Sequence, residues 1–422
     1  MKKLLTVLLS AALIAGLLAG PSGAAEPAEA VKISLLNSKP EITEALEAAA
    51  ADYAAQTGVT ITVYETDSPG DYLTTAYASG DPTTLALVDY ANIRDFCGEY
   101  FLDLSGEKWA ADGGNASGAS FGGCLYGFPF AVEGRGLLYN KTAIENTLGA
   151  AFDPADYTTV EAFSALLADL RDKGMDNSVV INAEDWSIGS HYLQNMYGRC
   201  DGTMAGSYAL ADGLKDGSIK LQDVDGFNDA FDALDVMMEY NYNKADPLAA
   251  DYDLNAANCA DGTVAFWLNG TFAWPDFSVF AQDSCEYGIM PIPTGENSPC
   301  KGKLGVLSGK FIAIDKSAAT EQEQQAAKDF LNWLVYTAEG NDLLVNKCGI
   351  VPAFANITLE MSNPFNADLQ RYIVSGDTAA VFTDLPSDHR SALGGQMQKY
   401  IAGQITREDL ADTLNAYWRD HA

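Results

Sequence analysis

Large aromatic side chains stand next to polar residues at two places in the chain, a combination suited to binding a polyhydroxylated ligand. Phe272 and Trp274 closely follow Asn269 in a polar turn, and Trp186 lies in the polar loop 182–187. Sugar rings present apolar C–H faces that stack on aromatic rings, and their hydroxyl groups favour ionised or amide partners. These residue types therefore predict a carbohydrate-binding cleft.

Each aromatic residue also has a simpler structural explanation. Aromatic side chains usually pack in a core. Trp267 alternates with Phe266 on a predicted strand, so a side chain facing the core and one facing the cleft are equally expected for it. Trp186 follows the strand predicted at 179–181, and loops after strands are where open α/β sheets bind ligands. The candidate ligand contacts among these residues are Trp186, Trp267, Asn269, Phe272 and Trp274.

Five charged residues complete the candidate ligand contacts, and each has an alternative role. Glu133 lies in an otherwise apolar strand, where a solvated acid is the alternative. Asp89 follows the strand predicted at 85–88, and its alternative is to cap the next helix. Glu41 is predicted to form a capping box with Ser38, in addition to any ligand contact. Single basic residues are usually on the surface, so the arguments are weaker for the last two candidates, Lys310 and Arg390.

The sequence contains none of the common catalytic or metal-binding motifs. None of its three histidines forms H-E-x-x-H, and no glycine-rich phosphate-binding motif follows a strand. A G-x-S-x-G match occurs at 118–122, but a loop precedes it and a strand-like run follows, which is not the context of a nucleophile elbow. Acidic residues are so frequent that a glycosidase pair could be nominated anywhere. We therefore predict a protein that is not an enzyme and has no cofactor or metal.

The chain is strongly acidic. Its 422 residues include 58 acidic and 25 basic side chains, which gives a formal net charge of −33. Phosphate backbones and anionic membranes would repel such a chain, so we predict no nucleic-acid partner. The hydrophobic share of 48% is sufficient for large cores, and the length suggests two or three domains. The 7 cysteines include no C-x-x-C pair, and the sequence leaves their pairing open.

The first 30 residues have the pattern of a secretory signal peptide. Two lysines precede an apolar stretch over 4–18, and cleavage after either Ala25 or Ala30 fits the small-x-small rule. Pro21 occupies the place of the lipidated cysteine in a lipoprotein signal, so a lipid anchor is not expected. We therefore predict an exported protein, in the periplasm or at the outer face of the cell membrane, without a transmembrane helix.

The elements that must position the candidate residues alternate between strand and helix. Strands predicted at 31–36, 59–64 and 85–88 enclose one helix that ends at Gly58 and a second helix at 72–79. This order predicts a parallel α/β sheet. Further helices are predicted at 160–173, 227–240, 321–335 and 407–418, and further strands or extended segments at 179–181, 264–268, 287–293 and 310–314.

Four segments in order along the chain carry a more specific pattern. The segment 125–141 contains Ala-Val-Glu at 131–133 and Tyr-Asn-Lys at 139–141, and 262–274 combines a strand with an Asn-Gly turn and an aromatic-x-aromatic element. These segments, with 287–309 and 326–352, resemble the family 1 extracellular solute-binding proteins, the maltose-binding protein group. The resemblance extends over about residues 31–418.

The resemblance implies a two-lobed α/β fold of the periplasmic-binding-protein type II, with hinge crossovers and a central ligand cleft. The N-terminal lobe would comprise 31–132 plus 304–346, and the C-terminal lobe 137–300 plus 352–422. It further implies a monomer that captures a carbohydrate by lobe closure and delivers it to the permease subunits of an ABC importer. Two alternatives remain open: the same fold binding a non-sugar solute, and a secreted glycoside hydrolase.

One stretch departs from the family pattern. Relatives that bind maltose carry an aromatic pair late in the chain after a proline-containing turn, whereas the matching stretch here, 384–393, has no aromatic residue other than His389. One stacking surface is therefore missing or replaced by polar groups. This difference argues against a maltodextrin ligand and favours a smaller or more polar glycan.

Overall fold

The computed structural model describes residues 31–354 and 356–422. The predicted signal peptide and its cleavage sites lie outside the described residues. Within the part of the chain that is described, no helix is both long and apolar enough to cross a bilayer. The cysteines in that part, which are all seven of the chain, form no disulfide.

The strands form one mixed sheet. They are β1 (Lys32–Asn37), β2 (Thr60–Glu65), β3 (Leu85–Val88), β4 (Ala119–Phe121), β5 (Cys124–Asn140), β6 (Val179–Ile181), β7 (Phe266–Gly270), β8 (Tyr287–Met290), β9 (Leu304–Ile314) and β10 (Thr378–Ala380). The main strand order is β2-β1-β3-β9-β5-β7-β6, with β4 and β8 beside β5 and β10 beside β9.

The direction of the strands confirms the parallel arrangement predicted for 31–88 and shows that the sheet as a whole is mixed. β1 is parallel to both β2 and β3, as the alternation of strand and helix predicts. β9, however, is antiparallel to β3 and to β5, and β5 is antiparallel to β7 and β8. The sheet is mixed because two long strands from distant parts of the chain join its parallel portions.

Sixteen α-helices accompany these strands in the described part of the chain. They are α1 (Thr43–Thr57), α2 (Pro69–Ser79), α3 (Tyr90–Phe96), α4 (Asn115–Ser117), α5 (Lys141–Leu148), α6 (Val160–Asp172), α7 (Leu193–Gly198), α8 (Met204–Asp216), α9 (Asp225–Glu239), α10 (Tyr252–Ala260), α11 (Trp274–Ser278), α12 (Glu321–Tyr336), α13 (Ala338–Asp342), α14 (Pro364–Ser375), α15 (His389–Ile401) and α16 (Arg407–Asp420). The predicted helices and strands all occur, with ends shifted by a few residues at most sites and by six at the start of β9.

The hydrophobic core has two main parts, which define two lobes. In the first lobe, β1, β3, α1 and α12 pack together and bury side chains such as Leu35, Phe330 and Leu334. In the second lobe, helices α6 to α9 and α16 pack against β6 and β7 and bury Phe231 and Phe266 among others. The precise lobe boundaries given above stay a prediction.

Strand β5 passes from one lobe to the other. Phe128 is buried in the core of the first lobe and Leu137 in that of the second. Between them, Gly136 allows a close approach to β8, because a Cβ at this position would lie 2.2 Å from the carbonyl oxygen of Met290. The cleft between the lobes is therefore built around a strand that both of them share.

Two local predictions have definite outcomes. The capping box predicted for Ser38 and Glu41 is wrong: the Ser38 hydroxyl donates to the Leu87 carbonyl at 2.7 Å, and Glu41 pairs with a lysine. The serine of the G-x-S-x-G match, Ser120, is exposed on the short strand β4, which forms an antiparallel ladder with β5. This strand-to-turn setting is not a nucleophile elbow, in agreement with the sequence-based interpretation.

Candidate functional site

Lys39 follows β1 and is buried between its charged neighbours, with 4% of its surface exposed. Its backbone is held in a tight turn by Asn37, whose side chain accepts from the Lys39 N–H at 2.9 Å and donates to the Lys39 carbonyl at 2.8 Å. The Lys39 ammonium donates to Glu133 Oε1 at 2.9 Å and lies 2.8 Å from Glu41 Oε1. Burial favours the neutral amine, but the two carboxylates outweigh it and raise the pKa of Lys39.

Glu133 occupies β5 and is almost fully buried, with 5% of its surface exposed. The neighbouring strand β9 makes room for its carboxylate with Gly309, where a Cβ would lie 2.2 Å from the carboxyl carbon. A buried carboxylate is tolerated only when it is paired, and Lys39 supplies that pairing. The acid is therefore held in the cleft and is not a solvated hinge residue.

Arg135 follows two positions later on β5, so its side chain points to the same face of the sheet as that of Glu133. Its guanidinium donates through Nη1 to the side chain of Gln194. Burial lowers the pKa of Arg135 to about 10, against the attraction of Glu133 and Asp89. Arg135 therefore still carries its positive charge at neutral pH.

A second ion pair extends the polar side of the cleft. Lys310 on β9 lies 2.8 Å from Asp89 Oδ1 and donates to the Ser38 hydroxyl at 3.0 Å. Asp89 is the residue before α3 and caps that helix, which was its alternative role. It also contacts Lys310, so it has both roles. We refer to these paired residues as the ion cluster: Lys39, Glu41, Asp89, Glu133 and Lys310.

Four aromatic rings of the second lobe face the ion cluster. Trp186 and His191 come from a π-helical turn, Asp185–Tyr192, and their ring centroids are 5.2 Å apart. Phe272 lies 5.4 Å from His191 and 6.3 Å from Trp186, and Tyr252 lies 5.9 Å from Trp186. We refer to these rings as the aromatic group: Trp186, His191, Tyr252 and Phe272.

The two sides of the cleft meet at Lys39 and Phe272. The Lys39 ammonium lies 5.6 Å from the centroid of the Phe272 ring, within the range of a cation–π contact. Burial, followed by the negative charge of Glu41, raises the pKa of Asp276, which lies close to Tyr252. The cleft thus combines apolar ring faces with ionised donors and acceptors over a short distance.

His191 is neutral in this setting. Burial, reinforced by the positive charges of Arg135, Lys310, Lys39 and Arg390, lowers its pKa well below the ordinary value. Because the uncharged imidazole has no net charge to solvate, it can form part of an aromatic surface in the cleft.

The buried histidines give the stability of the protein a predictable pH dependence. Burial also lowers the pKa of His389 to about 3. The unfolded chain binds protons at both histidines below about pH 6.5 and the folded chain does not. The free energy of unfolding should therefore fall by about 1.4 kcal/mol per pH unit for each histidine below that pH, and this contribution should be absent above it.

Urea denaturation at several pH values between 5 and 8 measures this dependence. Carboxylates also titrate at acidic pH, so the informative quantity is the difference between the parent protein and each of His191→Gln and His389→Gln. The matched control is His421→Gln, which alters a partly exposed histidine near the C-terminus. Equal pH slopes for the parent and for both buried-site variants would contradict the prediction.

The structure brings six of the ten candidate residues together. Four belong to the ion cluster and two to the aromatic group, and they are Glu41, Asp89, Glu133, Lys310, Trp186 and Phe272. Asn269 is buried in the strand before Phe272, and its Nδ2 has no hydrogen-bond partner within the described residues. An unpaired buried donor at this position is consistent with the polar contact predicted for Asn269.

Three candidates lie elsewhere. Trp267 is fully buried, and its indole N–H donates to Asn182 Oδ1 at 2.9 Å, so the structure decides between its two interpretations in favour of the core. Trp274 is half-buried and packs against Phe277 and Phe365, so the structure shows no contact with the aromatic group for it and its ligand contact stays a prediction. Arg390 pairs with Asp185 at 2.8 Å, beside Trp186, at a half-exposed edge.

Sequence reasoning missed four residues of the cleft. Lys39 could have been found from its place in the strand-to-helix turn where Glu41 was already a candidate. Arg135 could have been found from its alternation with Glu133 on one strand. The sequence carries no comparable signal for His191 or Tyr252, because only the fold brings His191 to Phe272 and Tyr252 to Trp186.

The stretch that lacks the late aromatic pair makes a polar contact between the lobes. Arg94 on α3 lies 2.6 Å from Asp384 Oδ1 and donates to the Leu385 carbonyl at 2.8 Å. The Tyr208 hydroxyl donates to the other Asp384 oxygen at 3.0 Å. We refer to these three residues as the interlobe contact: Arg94, Tyr208 and Asp384.

Comparison with known proteins gives one family and a consistent fold. The model of the bacterial extracellular solute-binding protein family matches residues 48–371. The solute-binding protein RafE in complex with raffinose is 19% identical, with a TM-score of 0.76 over 92% of this chain and 99% of that one.

Two further solved structures are similar. A sugar transporter protein from Bacillus licheniformis in complex with stachyose is 17% identical, with a TM-score of 0.72 over 93% of this chain and 100% of that one. A chitin oligosaccharide binding protein is 18% identical, with a TM-score of 0.72 over 93% and 98% of the two chains. At these identities the likeness establishes the two-lobed α/β fold.

Proposed function

This chain belongs to the bacterial extracellular solute-binding proteins, and on that premise we propose that it captures a carbohydrate reversibly as the substrate-binding component of an ABC importer. The observation that carries the proposal is the aromatic group of one lobe facing the ion cluster between the lobes. Stacking on Trp186 and Phe272 would bury the apolar faces of a sugar ring. Hydrogen bonds to sugar hydroxyls would replace some of the contacts that Glu133, Lys39 and their neighbours make with one another.

The similar solved structures support a sugar as the ligand. Among them, RafE holds raffinose and the Bacillus licheniformis protein holds stachyose, and a third is described as binding chitin oligosaccharides. The polar interlobe contact, at the place where maltose-binding relatives carry aromatic rings, favours a shorter or more polar glycan than a maltodextrin. The specific sugar is to be determined by experiment.

Capture would proceed by closure of the two lobes about strands β5 and β9. A ligand that touches both lobes stabilises the closed state by its differential affinity for that state. No bond of the sugar is broken in this cycle, so the protein acts without catalysis. The proposal includes lobe boundaries at 31–132 plus 304–346 and 137–300 plus 352–422, export by the signal peptide, a monomeric state and the permease subunits as partners.

The first test is a binding screen of the mature protein, freed of carried-over ligand by unfolding and refolding. Tryptophan fluorescence and melting temperature are measured against mono-, di-, tri- and tetrasaccharides, with amino acids and polyamines as non-sugar solutes. A saturable shift with one sugar class supports the proposal. Saturable binding of a non-sugar solute alone, or release of reducing ends from an oligosaccharide, would overturn it.

The interlobe contact should tighten binding without touching the ligand. We expect the interactions of the Arg94 guanidinium to be lost when the lobes separate, so Arg94→Ala should make the open state more populated. Because partly exposed ion pairs contribute about 1 kcal/mol, we expect the Kd to rise by about 3- to 10-fold, mainly through faster release.

Titration calorimetry and stopped-flow fluorescence measure the affinity and the release rate of Arg94→Ala. The control is Arg371→Ala, which removes an exposed arginine paired within one helix to Asp368. If both variants bind with the affinity of the parent, the contact has no part in closure.

A further inference from the structure

A small polar cavity lies next to the strands that connect the lobes, with Arg135 in its lining. It has room for about one water-sized particle. Its walls come from β5, from α7 and the residue after it, from β9 and the segment before it, and from β10. The lining includes Arg135, Asn195, Arg199, Lys303 and Gly305.

The lining of this cavity is positively charged. It includes Arg135, Arg199 and Lys303 and no aspartate or glutamate. Within residues 31–354 and 356–422, none of these three cations has a carboxylate oxygen within 4.0 Å, although the chain as a whole carries a formal charge of −33. The three cations of the cavity therefore have no neutralising carboxylate next to them in the described part of the chain.

The hydrogen bonds of the two arginines leave a buried nitrogen of Arg135 without a partner in the described part of the chain. Arg199 is anchored by its two terminal nitrogens, which donate to the carbonyls of Ile292 at 2.9 Å and Pro293 at 3.1 Å. Arg135 is only 7% exposed, and its Nε has no hydrogen-bond partner in the described part of the chain. Leaving such a charged donor buried and unpaired costs at least about 1–3 kcal/mol.

We propose that this cavity binds a small monatomic anion of the chloride type. A halide accepts hydrogen bonds from several donors at once and neutralises the surrounding charge, whereas a water molecule can do only the first of these. The small volume of the cavity favours a monatomic anion over sulfate, phosphate and carboxylates, which have three or more heavy atoms.

The position of the site links it to the cleft. Arg135 lines the cavity and also donates to Gln194, and its attraction to Glu133 reaches the ion cluster. Its backbone pairs with Gly305 on β9 and Gly270 on β7, where the strands of the two lobes meet. The bound anion would hold the Arg135 guanidinium in place and so stabilise the region around which the lobes close.

The test compares the mature protein in sodium chloride and in sodium gluconate at constant ionic strength and pH. We expect the melting temperature to rise saturably with chloride or bromide and to remain unchanged with gluconate. Crystals grown with bromide should show anomalous density in the cavity. No sugar is present in these experiments, so their outcome is independent of the proposed carbohydrate binding.

Two variants connect the effect to this cavity. Lys303→Gln removes one cation of the lining and should weaken the apparent halide affinity by about 10-fold. Lys301→Gln removes a nearby surface lysine that is paired with Glu296, and it should leave the affinity unchanged. Equal melting temperatures in chloride and gluconate, or a halide effect that Lys303→Gln does not alter, would overturn the proposal.

Discussion

Replacing Phe272 with alanine should raise the Kd for the carbohydrate by about 100-fold, the largest single effect on binding that we expect. The ring lies at the junction of the aromatic group and the ion cluster, 5.6 Å from the Lys39 ammonium. Its loss removes a stacking surface for the sugar and a cation–π partner for Lys39. Together these contributions amount to about 2–3 kcal/mol, which corresponds to the expected loss of affinity.

Titration calorimetry with the sugar identified by the screen measures this effect, and Trp186→Ala should follow the same trend. Phe280→Ala is the matched control, because Phe280 lies just after α11, whereas Phe272 lies just before it, and 40% of the surface of Phe280 is exposed. Circular dichroism should show that all three variants are folded. If Phe272→Ala and Phe280→Ala bind the sugar equally well, the aromatic group is not the ligand-binding surface.

Replacing Glu133 with glutamine should have the largest effect on stability. The change removes one of the two carboxylates that pair with the buried Lys39 ammonium and leaves the lysine with Glu41 alone. Breaking a buried pair from one side costs about 3–5 kcal/mol in general, and the remaining carboxylate should keep the loss near the lower limit, about 3 kcal/mol. Sugar affinity should fall in the same variant because an ionised acceptor is lost.

A double-mutant cycle separates the pair from its surroundings. Glu133→Gln, Lys39→Met and the double variant are compared by urea denaturation, and the double variant should be less destabilised than the sum of the two single variants. Glu286→Gln is the control, because the Lys141–Glu286 pair is exposed and should contribute no more than about 1 kcal/mol. Additive effects of the two cleft substitutions would show that Lys39 and Glu133 do not stabilise each other.

Several features of the fold could be predicted because they depend on short-range patterns. The apolar run 85–88 is the buried strand β3 with the predicted bounds, and the helix that begins at Glu321 has the expected amphipathic face. Gly58 ends α1 in a left-handed conformation, as a glycine after a helical pattern indicates. Each of these features is determined by residues a few positions apart.

The candidate site was predicted only in part. Glu133, Phe272 and Trp186 were identifiable because each stands in a polar or apolar context that does not suit its side chain. The sequence was less informative for Ser38 and Glu41, because a capping box and a cleft contact have the same sequence pattern there. The structure distinguishes the two because Leu87 accepts the Ser38 hydroxyl hydrogen and Lys39 pairs with Glu41.

The sequence by itself determined the family and the order of strands and helices, since motifs and periodicity are local properties. Only the tertiary structure decided which aromatic residue faces the cleft. Trp267 and Phe272 are five residues apart, yet the first is fully buried against Asn182 and the second meets Lys39. The reason is that β5 and β9 bring segments more than a hundred residues apart into contact, and such long-range pairing has no signature within either segment.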